Sequence, residues 1–244
     1  MSGLIYVKCH GSVANKVQSG EFSAKESDMK PSICTILAAA ALTLGFAANA
    51  VAQQPIVIKF SHVVAVDTPK GKGAEYFRNL VAERTEGRVK VEIYPNSSLF
   101  KDGEEMEALQ LGSVQMLAPS LAKFGPLGVR AFEVFDLPYI FDDRDELHKV
   151  TGGPVGASLF KMLEAKGITG LAYWDNGFKV MSANRPIRTP ADYKGLKMRI
   201  QSSKVLGDEM KALGAIPQVM AFSEVYQALQ TRSEERRVGK ECRL

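Results

Sequence analysis

The sequence predicts an α/β fold with mostly parallel sheets. Three observations predict it. Short runs with apolar residues at every second position, such as Ile56, Ile58 and Phe60, alternate with longer stretches whose apolar residues recur at helical spacing, such as Ala74, Phe77, Leu80 and Val81. Gly87, Gly112, Gly167 and Gly214 punctuate the junctions. The first two strand candidates are separated by a full helix, and such a crossover implies parallel pairing.

Taken in order, Ile56 to Ser61 reads as a strand with His62 running off its end. Asp67-Thr68-Pro69 is a helix start, with polar caps and a proline in the first turn. Gly87 stops that helix, and Val89, Val91 and Ile93 form the next strand, broken by Pro95-Asn96-Ser97-Ser98. Glu104 to Leu111 is a short helix with Met106 and Leu109 inward, and Val114 to Ala118 is a short strand ended by Pro119-Ser120. Phe124 to Phe141 has no period and many Gly, Pro and aromatic residues, so it reads as an irregular apolar segment packed under a lobe. Asp143 to Val150 and Val155 to Lys166 are helical; Ile168 to Trp174 is a strand, Asp175-Asn176-Gly177 a turn and Phe178 to Ala183 another strand. Thr189-Pro190 caps a brief helical turn. Lys194 to Gln201 reads as a tight turn at Gly195 and a strand, with Leu196, Met198 and Ile200 opposite Lys197, Arg199 and Gln201. Lys204 to Leu213 is a helix, Ile216 to Val219 a strand, and Ser223 starts the last helix.

The chain has 244 residues, 45% of them hydrophobic, and a net charge of +4. That excess comes mostly from the ends: Gln53 to Thr231 carries 22 basic and 21 acidic residues, so no nucleic-acid footprint is present. The ends are also unlike the middle. Met29 to Ala52 has a positive residue, Lys30, an uncharged Ala- and Leu-rich run from Ile33 to Ala48, and a small-x-small site at Ala50-Val51-Ala52. It reads as a signal peptide (29–52) cleaved before Gln53, with an uncleaved anchor as the alternative. Residues 1–28 then read as upstream sequence translated in error, and no element is expected there. Arg232 to Cys242 resembles the translation of a sequencing adapter, so 232–244 is expected to be a foreign tail on a C-terminally truncated chain; the alternative is a natural charged tail. Cys9, Cys34 and Cys242 all fall in these ends, which leaves the middle without a thiol or a disulfide and fits export to the periplasm.

In open α/β sheets ligands sit beyond the carboxyl ends of strands. That rule selects His62, Val63, Pro119, Ser120 and Asn176. The sequence has no HExxH, no Cys cluster, no GxSxG elbow and no Gly-rich phosphate loop; Gly71-Lys72-Gly73 lacks the other loop glycines. No catalytic residue, metal site or cofactor is expected. What remains is a set of fixed donors near turns, Lys70, Lys179, Arg199, Ser120 and Asn176, suited to holding an organic anion without reacting with it. For Arg199 alone, a solvated strand position is the competing reading.

The motifs Phe60-Ser61-His62-Val63-Val64, Asp67-Thr68-Pro69-Lys70-Gly71, Tyr94-Pro95-Asn96-Ser97 and Asp136-Leu137-Pro138-Tyr139 occur in order along the chain. They are followed by Trp174-Asp175-Asn176-Gly177-Phe178-Lys179, Lys194-Gly195-Leu196-Lys197-Met198-Arg199, and the run from Met220 to Thr231. Together they make Ile56 to Thr231 resemble the DctP-type solute-binding subunits of tripartite ATP-independent periplasmic (TRAP) transporters. The resemblance implies a periplasmic-binding-protein-like fold, with two α/β lobes around a ligand cleft: 53–176 as the first and 177–231 as the start of the second. It implies a secreted protein that captures an organic acid, a C4-dicarboxylate by overall likeness, and delivers it to membrane permease subunits. It implies that Arg199 clamps a carboxylate, that Phe222 packs on the ligand, and that Asp102 and Ser120 line the cleft. Lys179 stands where several members carry a second arginine. A sensory ligand-binding domain and an enzyme on a similar two-lobed fold are the alternatives.

Overall fold

A computed structural model describes residues 3–9, 54–231 and 236–239. Residues 29–52, the expected signal peptide, and most of 232–244 lie outside the described residues. The rest forms two sheets, each with its own apolar core.

In the first sheet, β2 (Ile56–Ser61) and β3 (Val89–Tyr94) are parallel in register from Ile56 opposite Val89 to Ser61 opposite Tyr94. They are joined by α1 (Pro69–Arg84), as the crossover required. Thr68 caps α1 by accepting from the Gly71 N–H at 3.2 Å. A Cβ at Gly71 would collide with the carbonyl oxygens of Ala65 and Val66, so this glycine serves close packing of α1 on the preceding loop. β4 (Met116–Leu117) lies parallel on the other side of β2, preceded by α2 (Glu105–Gln110). β1 (Gly3–Cys9) sits between β4 and β5 (Ile168–Asp175), antiparallel to both, so β5 runs in the same direction as β4. The sheet order is β3-β2-β4-β1-β5.

Phe60, Ala74, Val91, Met116 and Ala118 form one side of the core. The other side is larger. Its centre is the segment expected to be irregular, which folds as two 3-10 turns, Leu121–Phe124 and Arg130–Asp136. Their Phe124, Phe132 and Phe135 are fully buried under α3 (Arg144–Thr151) and α4 (Pro154–Glu164).

The chain leaves the first sheet at Asp175 and enters the second at Val180. There β7 (Lys197–Ile200) and β8 (Ile216–Val219) are parallel, joined by α5 (Lys204–Ala212). β6 (Val180–Ala183) and β9 (Arg236–Gly239) complete the order β6-β9-β7-β8. A last helix, α6 (Val225–Gln230), follows β8. Gly195 turns the chain into β7 with φ +73°, a conformation that favours glycine.

Three expectations change. Gly3–Cys9, from the stretch expected to hold no element, is a strand; its run Leu-Ile-Tyr-Val suits an extended backbone, and β4 and β5 supply hydrogen-bonding edges on both sides. Arg236–Gly239, from the expected foreign tail, likewise pairs with β6 and β7. β7 is not evenly two-faced: Lys197 is exposed, but Arg199 on the same face is buried with Met198 and Ile200, because the Met220 carbonyl and Asp102 cover the carboxyl end of that face.

Candidate functional site

The strands β2, β4 and β5 point their carboxyl ends the same way, and the residues beyond those ends are the expected rim: His62, Ser120 and Asn176. β7 and β8 bring Gln201 and Met220 to the corresponding end of the second sheet. The two ends meet where the Ser120 hydroxyl donates to Gln201 Oε1 at 2.7 Å.

Behind this contact lies a buried charged group centred on Asp102, 3% exposed. Lys123 Nζ stands 3.1 Å from Asp102 Oδ1, and Arg199 Nη2 stands 3.7 Å from Oδ2. The backbone N–H of Phe222 donates to the same Oδ2 at 3.3 Å. Asp102 thus ties a loop of the first lobe to β7 and to the segment after β8. Arg199 is 2% exposed, which excludes the solvated reading. Its Nε and Nη2 both donate to the Met220 carbonyl, at 3.0 and 2.7 Å. The Nε edge of the guanidinium is therefore anchored to backbone.

Lys70, on the first turn of α1, is buried and donates to the Ala118 carbonyl at 3.1 Å, spanning from helix to the end of β4. Burial pushes its pKa down to about 8, against the pull of Glu105 and then Asp102. Glu105 is fully buried, and neither of its oxygens makes a hydrogen bond. Burial, reinforced by Asp102, holds its pKa far above the ordinary carboxylate range, to about 8, while Lys70 and Lys123 act in the opposite sense. His62 is also fully buried, and neither ring nitrogen has a well-formed partner. Burial, then Lys70, pushes its pKa down to about 4, so the ring is neutral near pH 7.

The structure therefore brings Asp102, Arg199, Lys70 and the Phe222 backbone into one group, with Ser120 at its edge. It places Lys179 elsewhere: Lys179 Nζ pairs with buried Asp136, the last residue of the Arg130–Asp136 turn. Asn176 stands at the exit of β5, half-buried, beside a turn in which the Gly177 N–H donates to Asp175 Oδ1 at 2.7 Å. Sequence reasoning missed Lys123, Glu105 and Gln201. Lys123 sits three residues past the rim residue Ser120 in an unpatterned stretch, and Glu105 is one of several acids at a helix start, where solvent exposure is the ordinary state. Gln201 was legible as the residue following β7. Among the described residues no group of three His, Cys, Asp or Glu side chains is placed to hold a metal ion, and no helix is long and apolar enough to cross a membrane.

Residues 60–233 match the family model described as bacterial extracellular solute-binding protein, family 7. The chain belongs to that family. It is 70% identical over 196 residues to the C4-dicarboxylate-binding periplasmic protein DctP of Rhodobacter capsulatus, a match covering 80% of this chain and 59% of that protein. It is 47% identical to the C4-dicarboxylate-binding protein DctB of Bacillus subtilis over 73% of this chain and 51% of the relative. Among solved structures, a TRAP periplasmic solute-binding protein of Sulfurospirillum deleyianum with bound succinate matches at TM-score 0.72 and 49% identity, covering 75% of this chain and 59% of that one. A counterpart from Pseudomonas aeruginosa with bound L-malate matches at 0.72 and 48%, covering 75% and 63%. The chain thus spans between half and two thirds of the length of these relatives. The α/β architecture read from the sequence, with two lobes around a cleft, is that of the family.

Proposed function

We propose that the protein is an extracytoplasmic solute-binding protein that captures a C4-dicarboxylate and hands it to the permease subunits of a TRAP transporter, without chemical turnover. The observation that carries this reading is the buried group around Asp102: three basic side chains, Lys70, Lys123 and Arg199, converge at the strand ends on one carboxylate. Such an excess of buried donors is costly unless an anion offsets it. Lys70, on α1, and Arg199, on β7, come from different lobes and are suited to the two ends of a short diacid. Ser120 and Asn176 supply neutral hydrogen bonds at the rim, Phe222 an apolar face, and Asp102 holds Arg199 in place. The ligands bound in the structural relatives, succinate and L-malate, are of this class.

Export fits the same reading. We propose that 29–52 directs secretion and is removed before Gln53, so that N-terminal sequencing of exported protein begins at Gln53. Titration calorimetry of the purified protein with succinate, malate and fumarate, against butyrate as the monoacid, tests the ligand class. Binding of the diacids with butyrate at least tenfold weaker is the expected result, about 1.4 kcal/mol. Equal binding of butyrate, or consumption of a diacid during incubation, overturns the proposal.

A further inference from the structure

Glu105 has no part in the site as described, yet it is the feature of that site hardest to explain as structure. It is 0% exposed, and both carboxylate oxygens lack a hydrogen bond. A buried carboxylate in that state is costly when ionised. The groups facing it come from each neighbouring element: Asp102 from its own loop, Lys70 from α1 and Lys123 from the Leu121–Phe124 turn, with neutral His62 at the end of β2 beside Lys70. Two other buried acids are matched outside this group: Asp136 by Lys179, and Glu133 by Arg130 at 3.6 Å and the Lys204 N–H at 3.0 Å. Within the group Lys70, Lys123 and Arg199 oppose Asp102 and Glu105. With Glu105 neutral the group carries two positive charges; with Glu105 ionised it carries one.

We propose that Glu105 sets the charge of the ligand that the site accepts: protonated, it leaves two positive charges for the two carboxylates of a diacid, and binding of the dianion drives proton uptake at Glu105. The inference rests on the C4-dicarboxylate reading above and deepens it. An arriving dianion strengthens the hold of both Glu105 and Lys70 on their protons. Above the pH at which unliganded Glu105 titrates, diacid binding therefore draws protons from solution, and affinity falls with pH by up to about tenfold per pH unit for each linked proton. Glu105→Gln fixes the neutral state with nearly the same shape. Residual uptake in that variant belongs to Lys70.

Calorimetry with succinate in two buffers of different protonation enthalpy, between about pH 7 and pH 9, reads the protons taken up. The parent is expected to take up protons at the alkaline end, and Glu105→Gln to take up fewer and to keep its succinate affinity better as pH rises. No uptake by the parent, or full parental uptake by Glu105→Gln, overturns the proposal. Infrared spectroscopy gives a reading that needs no ligand. The unliganded parent at about pH 7 should show the carbonyl absorption of a buried protonated carboxylic acid, absent in Glu105→Gln. Its absence from the parent overturns the inference even if succinate binds. Its presence in a parent that binds no diacid leaves Glu105 neutral as inferred and removes the ligand assignment instead.

Discussion

Two buried carboxylates, Asp102 and Asp136, are built alike and do different things. Asp136 ends a 3-10 turn, fully buried by its side chain, with one base, Lys179, as its partner. Asp102 is nearly as buried, but it serves Lys123, Arg199 and the Phe222 N–H together, and Lys70 lies within its field. In the first, one base pairs with one acid, with half-buried Glu209 in the field of both. The second leaves cations in excess. Burial and ion pairing are common to both, so neither marks a ligand site; the surplus of one sign does.

The contrast is sharpest when each acid is neutralised. Asp102→Asn strands Lys123 and Arg199 beside one another with their shared partner gone, and uncompensated buried charge costs up to about 3–5 kcal/mol of stability. Glu105, released from the field of Asp102, then ionises more readily and limits the loss. Thermal melts should show a large drop in midpoint that saturating succinate partly restores, since the diacid supplies the missing negative charge. A drop that succinate does not touch would make Asp102 a structural acid like Asp136.

Arg199→Lys keeps the charge but loses the planar fork. Nε and Nη2 of Arg199 both donate to the Met220 carbonyl, an arrangement that a lysine ammonium cannot copy. Calorimetry should show diacid affinity weaker by about 2–4 kcal/mol, the range for losing one partner of a buried charge pair. Unchanged affinity would mean that Arg199 only braces Met220 and Asp102.

How far this site could be read in the sequence follows from the same contrast. The order of strands and helices was legible because hydrophobic period and turn residues are local properties, and the carboxyl-end rule then placed His62, Ser120 and Asn176 on the rim. Arg199 and Lys70 were legible as donors near turns. Their partners were not. Lys123 lies inside a stretch with no period, and Glu105 has the sequence of an ordinary exposed helix start, so its burial is a tertiary fact. The setting of Lys179 was hidden for a related reason: its charge is visible in the sequence, whereas the acid that pairs with it is 43 residues earlier in an irregular segment. The strands Gly3–Cys9 and Arg236–Gly239 were missed because their pairing edges belong to distant parts of the chain.

Asp136→Asn tests the closed pair. It leaves Lys179 with only a neutral amide, while Lys179 keeps some access to solvent, 15% by its side chain. The expected loss is about 1–3 kcal/mol of stability, as for one unsatisfied buried polar group, with diacid affinity close to that of the parent. Affinity falling along with stability would join Asp136 to the binding site and erase the distinction drawn above.

The smallest effect is the acid response of His62. His62 belongs to the Asp102 side, next to Lys70, and its folded pKa of about 4 lies below its ordinary 6.5. The unfolded chain therefore takes the proton first as pH falls. Stability contributed by the neutral ring is intact above about pH 6.5 and is lost progressively down to about pH 4. The depressed carboxylates, Glu92, Asp192 and Asp208, titrate from unfolded values of 4.5 or 3.8, so they add nothing until lower pH. Between about pH 6.5 and pH 5 Glu105, with a folded pKa of about 8 against an unfolded 4.5, gains stability as pH falls and opposes His62, so the expected signal is a difference: the melting temperature of the parent should fall relative to that of His62→Gln. Half-buried Glu209, raised by burial and lying in the field of Lys179 and Asp136, is common to the parent and His62→Gln and so drops out of that difference. Parallel lines for the two would mean that the ring finds a partner for its proton in the folded state, and the Asp102 group would then hold one more cation in acid than the structure assigns to it.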